Sequence, residues 1–146
     1  MGSGKTTVGR ILAERLHRPL VDSDAVVEQR TGHTVRELWE AHGEAGYRRL
    51  ETEALLDALA RSEPTVIAAA GGVVLAEVNR DALRGGRAHV VWLRAPVEVL
   101  AARATADGSV HRPLLDGDPA SKLAALYAPR EALYAEVADA VVGVPS

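Results

Sequence analysis

Apolar positions along the chain switch between helical and strand spacing, the signature of an α/β domain. Val8, Ile11, Leu12 and Leu16 share one helical face directly behind Gly4-Lys5-Thr6-Thr7, and Pro19 stops that helix. Pro19-Leu20-Val21-Asp22 predicts a short buried strand that ends in acid. Two short helices follow, over Asp24 to Arg30 and Thr34 to Ala41, the second opened by a capping box between Thr34 and Glu37. A longer helix is predicted from Glu44 to Arg61, with Tyr47, Leu50, Ala54 and Ala58 along one face. Thr65 to Ala70 is an apolar run that breaks at Gly71-Gly72, as a buried parallel strand would. Further along come a helix at about Asn79 to Leu83, a strand over His89 to Leu93 and a helix from Pro96 to about Ala104. The polar, Gly/Pro-rich stretch from Asp107 to Pro119 reads as a functional loop or lid. Helices at about Ala120 to Tyr127 and Arg130 to Val137 then lead to a last strand, Ala140 to Val144.

Composition narrows the function classes. With 146 residues, the chain has room for one domain, taken as residues 1–146. It is 47% hydrophobic and 25% charged, with a mean hydropathy of −0.02, enough for a core. A formal net charge of −3 argues against a nucleic-acid groove, which needs clustered excess cations. The absence of cysteine excludes a disulfide scaffold, a thiolate metal site and a thiol nucleophile. The start of the sequence carries no secretory signal, and its longest apolar run, Val66 to Ala76, is too short to span a bilayer. The expectation is a soluble, cytoplasmic protein, monomeric, acting on small molecules. Of 17 basic residues only Lys5 and Lys122 are lysines, which singles out a lysine inside Gly-Lys-Thr. No phenylalanine is present, so Trp39, Trp92 and three tyrosines are the only large rings in an aliphatic core.

Gly2-Ser3-Gly4-Lys5-Thr6-Thr7 matches the second half of the phosphate-binding pattern G-x-x-x-x-G-K-[ST]. Glycines let backbone N–H groups curl around phosphate oxygens, and the helix behind them aims its positive end there. The lysine ammonium reaches the outer phosphates, and a hydroxyl such as that of Thr6 ligates Mg²⁺. Asp22-Ser23-Asp24 closes the first strand, at the carboxyl end where parallel sheets bind ligands. There one carboxylate suits a metal held through water and the other suits orienting or deprotonating a hydroxyl. The same residue types also suit a plain helix N-cap at Asp22 or Ser23. Arg48, Arg112 and Arg130 are candidates for bidentate clamping of carboxylate or phosphate, although in so arginine-rich a chain most guanidiniums are solvated. Gly71-Gly72 is either a turn or a ligand cradle. His17, His33, His42, His89 and His111 lack metal-ligand spacing and read as structural or surface residues. Tyr47 and Tyr134 read as core or hydrogen-bonding props, and Trp39 and Trp92 as packing.

Taken in order, Gly-Ser-Gly-Lys-Thr-Thr-Val-Gly-Arg, Val-Asp-Ser-Asp, Gly-Glu-Ala-Gly-Tyr-Arg-Arg-Leu-Glu, Ala-Gly-Gly-Val-Val, His-Arg-Pro-Leu-Leu and Arg-Glu-Ala-Leu-Tyr resemble the shikimate kinases from Gly2 to about Val142. The resemblance implies a nucleoside-monophosphate-kinase-like fold: three layers, with a five-stranded parallel sheet flanked by helices, and a lid at about 107–119. The implied reaction moves the γ-phosphoryl group of ATP, with Mg²⁺, to a hydroxyl of shikimate. The product is shikimate 3-phosphate, on the route to chorismate and the aromatic amino acids. Carried over by position, Gly2, Ser3, Gly4, Lys5, Thr6 and Thr7 resemble the phosphate loop, with Lys5 on the phosphates and Thr6 on the metal. Asp22 resembles the acid that supports the metal through water, and Asp24 the acid on the substrate hydroxyls. Arg48 and Arg130 resemble the pair on the substrate carboxylate, with the backbone of Gly71 and Gly72 beside the substrate. Arg112 resembles the lid arginine, and Arg103 the arginine on the adenine side.

Three departures shape the expectations. The first glycine of the phosphate-loop pattern and the strand that launches it are missing. By resemblance that strand lies mid-sheet, so its neighbours are expected to lack a partner. Ala70-Gly71-Gly72 stands where the family usually has three glycines, and the family's last helix does not follow the final strand. A chain that begins further upstream, or a fragment truncated at both ends, accounts for the first and third. Two rival readings remain: a kinase of the same fold for another hydroxylated acid such as gluconate, and an inactive nucleotide-binding remnant.

Overall fold

The computed structural model describes residues 4–106 and 119–144. Helix α1 (Lys5–Leu16) is followed by β1 (Leu20–Asp22), α2 (Ser23–Thr31) and α3 (Val35–Leu59). Strand β2 (Val66–Ala68) leads through a single 3₁₀ segment, Gly71–Leu75, to α4 (Glu77–Arg84). The second half holds β3 (Val91–Arg94), α5 (Val97–Ala106), α6 (Pro119–Val137) and β4 (Ala140–Gly143). The strand and helix alternation expected from the apolar spacing is therefore present.

The strands form two parallel pairs. Strand β1 lies on β2 with Leu20 opposite Val66 and Asp22 opposite Ala68. Strand β3 lies on β4 with Val91 opposite Ala140 and Arg94 opposite Gly143. Among the described residues β2 and β3 each pair on one side only, which agrees with a sheet interrupted at its middle. Helix α1 packs closely on the first pair. A methyl group placed on Gly9 would meet Leu20 Cδ1 at 3.2 Å and the Ala68 methyl at 3.7 Å, so this close approach favours glycine. One core forms where Leu55, Ala70, Val73, Val74, Leu83 and Val137 bury together. A second, of Val27, Leu38, Tyr47 and Ala54, seats α2 against α3.

Two details bear on the expectations. The helix over residues 35–59 bends at Gly43, whose φ of 68° and ψ of −175° are not helical. That is where the sequence separated a helix ending at Ala41 from one starting at Glu44. The capping box also forms, with Glu37 N–H donating to Thr34 Oγ1 and Thr34 N–H to Glu37 Oε1. The helices expected over 120–127 and 130–137 are instead one, with Pro129 inside it. An interior proline removes one backbone donor and costs about 3 kcal/mol. Burial of Arg130 and Val137, with Leu133 and Tyr134 packed on the core, offsets that cost. Of the lid expected at 107–119, residues 107–118 lie outside the described residues and Pro119 begins α6.

Candidate active site

The site begins at the amino end of α1. Gly4 caps this helix with φ 85°, a left-handed conformation that glycine adopts without strain. That turn sets Lys5 and Thr6 in the first helical turn, where the backbone N–H groups lack helical acceptors. Thr6 Oγ1 donates a hydrogen bond to Asp22 Oδ2 at 3.0 Å, which joins the phosphate-loop stub to the end of β1. Asp22 also caps α2: its Oδ1 accepts from the N–H of Asp24 at 3.0 Å and of Ala25 at 3.2 Å. The capping role and the site position therefore coincide in one residue. Thr6 and Asp22 offer hard oxygen donors beside a helix amino terminus, a donor set that fits a hydrated Mg²⁺ ion.

Helix α2 starts with the buried Ser23, whose Oγ accepts from the N–H of Ala70 at 2.9 Å. This bond ties the acidic end of β1 to the segment that enters Gly71-Gly72. One residue on, Asp24 Oδ1 accepts from the Tyr47 hydroxyl at 2.9 Å. Tyr47 is 3% exposed, and its ring lies 5.7 Å from that of Trp39. Burial, together with the charges of Asp24 and Glu51, pushes the Tyr47 phenol far above its usual range. It therefore stays protonated and acts as a donor.

Helix α3 then supplies Arg48 and Glu51. Arg48 Nη1 donates to both Glu51 Oε1 and Oε2 at 3.0 Å. Its guanidinium also sits 5.7 Å from the Trp39 ring centre and 5.8 Å from that of Tyr47. Glu51 is 2% exposed. Burial raises its carboxyl, Arg48 and Arg130 pull it down, and Asp24 pushes it further up. Gly72 lies against the same guanidinium: a methyl built there would come within 2.0 Å of Arg48 Nη1. The glycine is needed for that approach, so the pair is more than a turn. Arg130 from α6 is buried to 4% exposure, and its charge and hydrogen bonding act on the Tyr134 phenol. Tyr134 in turn donates to the Gly71 carbonyl at 2.8 Å.

Contacts thus run from Thr6 through Asp22, Asp24, Tyr47 and Arg48 to Glu51 and Gly72, and Arg130 connects to them through Tyr134 and the Gly71 carbonyl. Lys5 opens the same helical turn as Thr6, and Thr7 follows them in its exposed part. Arg103 falls on α5. Gly2, Ser3, Arg112 and His111 lie outside the described residues, so the structure does not bear on them. The other four histidines are exposed, and no cluster of metal-ligating side chains of the His/Cys/Asp/Glu kind occurs among the described residues. Tyr47 and Tyr134 act as the hydrogen-bonding props expected of them. Trp92 packs at 5.6 Å from Tyr134. The hollow lined by Arg84, Arg87, His89, Glu136 and Asp139 contains none of the expected site residues.

Sequence alone assigns no role to Glu51 and offers Ser23 only as a helix N-cap, a place that Asp22 takes. For Glu51 a signal was present: an acid three residues after Arg48 on one helix faces it. Ser23 offered none, since its partner is 47 positions away.

A parallel α/β frame, a glycine-lysine-threonine turn feeding a helix, and acids with arginines beyond it define a small-molecule kinase of the phosphate-loop class. Comparison with known proteins makes the class specific. The sequence model of the family described as shikimate kinase matches residues 1–145, and the chain belongs to that family. A shikimate kinase of Symbiobacterium thermophilum is 50% identical over 139 residues, covering 94% of this chain and 79% of that protein. One of Halorhodospira halophila is 46% identical over 143 residues, covering 97% and 78%. The solved shikimate kinase of Acinetobacter baumannii in complex with shikimate superposes with a TM-score of 0.93 at 41% identity. It covers 100% of this chain and 80% of that one. The Aquifex aeolicus enzyme gives 0.83 at 33% identity, covering 100% and 83%.

Proposed function

We propose that this chain transfers the γ-phosphoryl group of ATP to the 3-hydroxyl of shikimate, giving shikimate 3-phosphate and ADP. The observation that carries the residue assignment is the seat of Arg48, paired with the buried Glu51 and packed on Gly72, beside the Tyr47 that holds Asp24. Arg48 is paired with Glu51 and the charge of Arg130 also reaches that carboxyl, so two guanidiniums near one internal carboxylate leave positive charge for a second one, and shikimate brings a carboxylate. Asp24 is linked to the phosphate-loop stub through Asp22, which accepts from the N–H of Asp24 and from the Thr6 hydroxyl. The Asp24 carboxylate accepts the proton of the substrate hydroxyl as that oxygen bonds to the γ-phosphorus. The bond from phosphorus to the bridging oxygen breaks, and ADP leaves.

Lys5 neutralises the outer phosphates, and Gly4 with the first turn of α1 holds the remaining backbone donors toward them. Gly2, Ser3 and Thr7 complete that loop by kinship with the family. Thr6 and, through water, Asp22 would hold a Mg²⁺ ion, which would supply charge neutralisation at the phosphates. Gly71 and Gly72 border the substrate, Arg112 closes over the phosphates from the 107–119 lid, and Arg103 flanks the adenine. Positioning and charge neutralisation supply most of the acceleration in such a reaction. We further read the chain as a cytoplasmic monomer. Among the described residues, no helix is long and apolar enough to cross a membrane.

A coupled ADP-release assay with shikimate, quinate and gluconate tests this reading. Turnover with shikimate well above that with the other two is expected. Gluconate as the preferred acceptor, or no acceptor-dependent ADP release, would overturn it.

A further inference from the structure

We propose that Tyr47 is a positioning residue for phosphoryl transfer: its hydroxyl pins one oxygen of Asp24 so that the other meets the acceptor hydroxyl. The proposal rests on the reading above that Asp24 serves the substrate hydroxyl. An ionised carboxylate only accepts hydrogen bonds, so in the 2.9 Å contact with Asp24 Oδ1 the phenol must be the donor. The phenol is not free to turn away. Its ring belongs to the second core with Val27, Leu38 and Ala54, and Trp39 packs beside it. Asp24 itself sits in the first turn of α2, anchored through its N–H to Asp22. With the backbone held at one end and Oδ1 held at the other, the rotation of the carboxylate is restrained. Among the described residues Oδ2 has no hydrogen-bond partner, and it is the oxygen left for a ligand.

A side chain held this way is preorganised, and preorganisation of a reacting group raises kcat more than it tightens ground-state binding. Nothing else in the contacts of Tyr47 needs its oxygen. The ring alone satisfies the core, so a tyrosine hydroxyl placed here calls for a reason beyond packing.

The test is Tyr47→Phe in the purified enzyme, which keeps the ring and removes only the donor. Loss of a hydrogen bond to a charged group predicts a fall in kcat of about tenfold, with KM for ATP unchanged. The same substitution is then made in an Asp24→Ala background, where its effect on residual kcat should vanish. A tenfold loss that persists without Asp24 would show that the hydroxyl acts through packing, and would overturn the proposal. So would a kcat for Tyr47→Phe within twofold of the parent. If Asp24→Ala itself turns over like the parent, the assignment of Asp24 fails first, and this inference fails with it.

Discussion

Replacing Arg48 by alanine separates substrate binding from internal charge balance, because the guanidinium serves both. Its Nη1 makes two contacts of 3.0 Å with a carboxylate that is 2% exposed. Removing one partner of a buried pair leaves an uncompensated charge and costs about 3–5 kcal/mol. Arg48 is the principal cation that pulls the Glu51 carboxyl down against the burial that raises it. Without it, that carboxyl rises further and binds a proton in the folded state that the unfolded chain releases. The raised value lies above the ordinary 4.5, so folded protein binds more protons than unfolded across the window between them. Stability of the variant is then greatest below that window and falls as pH climbs through it, by at most about 1.4 kcal/mol per pH unit. Urea titrations of both proteins at pH 5 and pH 8 check this. The gap in stability between parent and variant should be wider at pH 8. In steady-state kinetics, loss of a charge-assisted clamp on the substrate carboxylate predicts a rise in KM for shikimate of about tenfold to a hundredfold. KM for ATP should hardly move. Equal rises in both constants, or a stability gap independent of pH, would refute the reasoning.

Three more substitutions probe separate links. Gly72→Ala places a methyl 2.0 Å from Arg48 Nη1, so the guanidinium must leave its seat. KM for shikimate should rise as it does for Arg48→Ala, measured in the same assay, whereas KM for ATP stays put. Lys5→Ala removes the phosphate cation and should lower kcat by a factor equivalent to about 3–4 kcal/mol, read by ADP release at saturating substrates. Ser23→Ala leaves the Ala70 N–H without its acceptor and should cost about 1–3 kcal/mol in urea unfolding.

Much of the site could be read from the chain because its chemistry is carried by residues at fixed local spacing. The turn before α1 needs glycine and then a cation and hydroxyl, so Gly4, Lys5 and Thr6 announce themselves. Asp22 and Asp24 were legible as the polar end of an apolar run, and the structure joins Asp22 to Thr6. The break at Gly43 falls in the gap between the helices read as ending at Ala41 and starting at Glu44. What escaped depends on distant pairing. The spacing of Glu51 from Arg48 is local, but its burial, and the seat of the same guanidinium against Gly72, exist only in the folded chain. The Tyr47 hydroxyl finds Asp24 across 23 positions, which no periodicity reports. Pro129 reads as a helix boundary from local rules, yet tertiary burial of Arg130 and Val137 carries the helix through it.

The most direct test is a crystal structure of the enzyme with shikimate and a non-hydrolysable ATP analogue bound together. The account predicts the shikimate 3-hydroxyl about 3–3.5 Å from the γ-phosphorus, in line for attack. Asp24 should touch that hydroxyl, Arg48 and Arg130 the ring carboxylate, and Lys5 the phosphates. Shikimate seated away from Asp24, or held without either guanidinium, would contradict it.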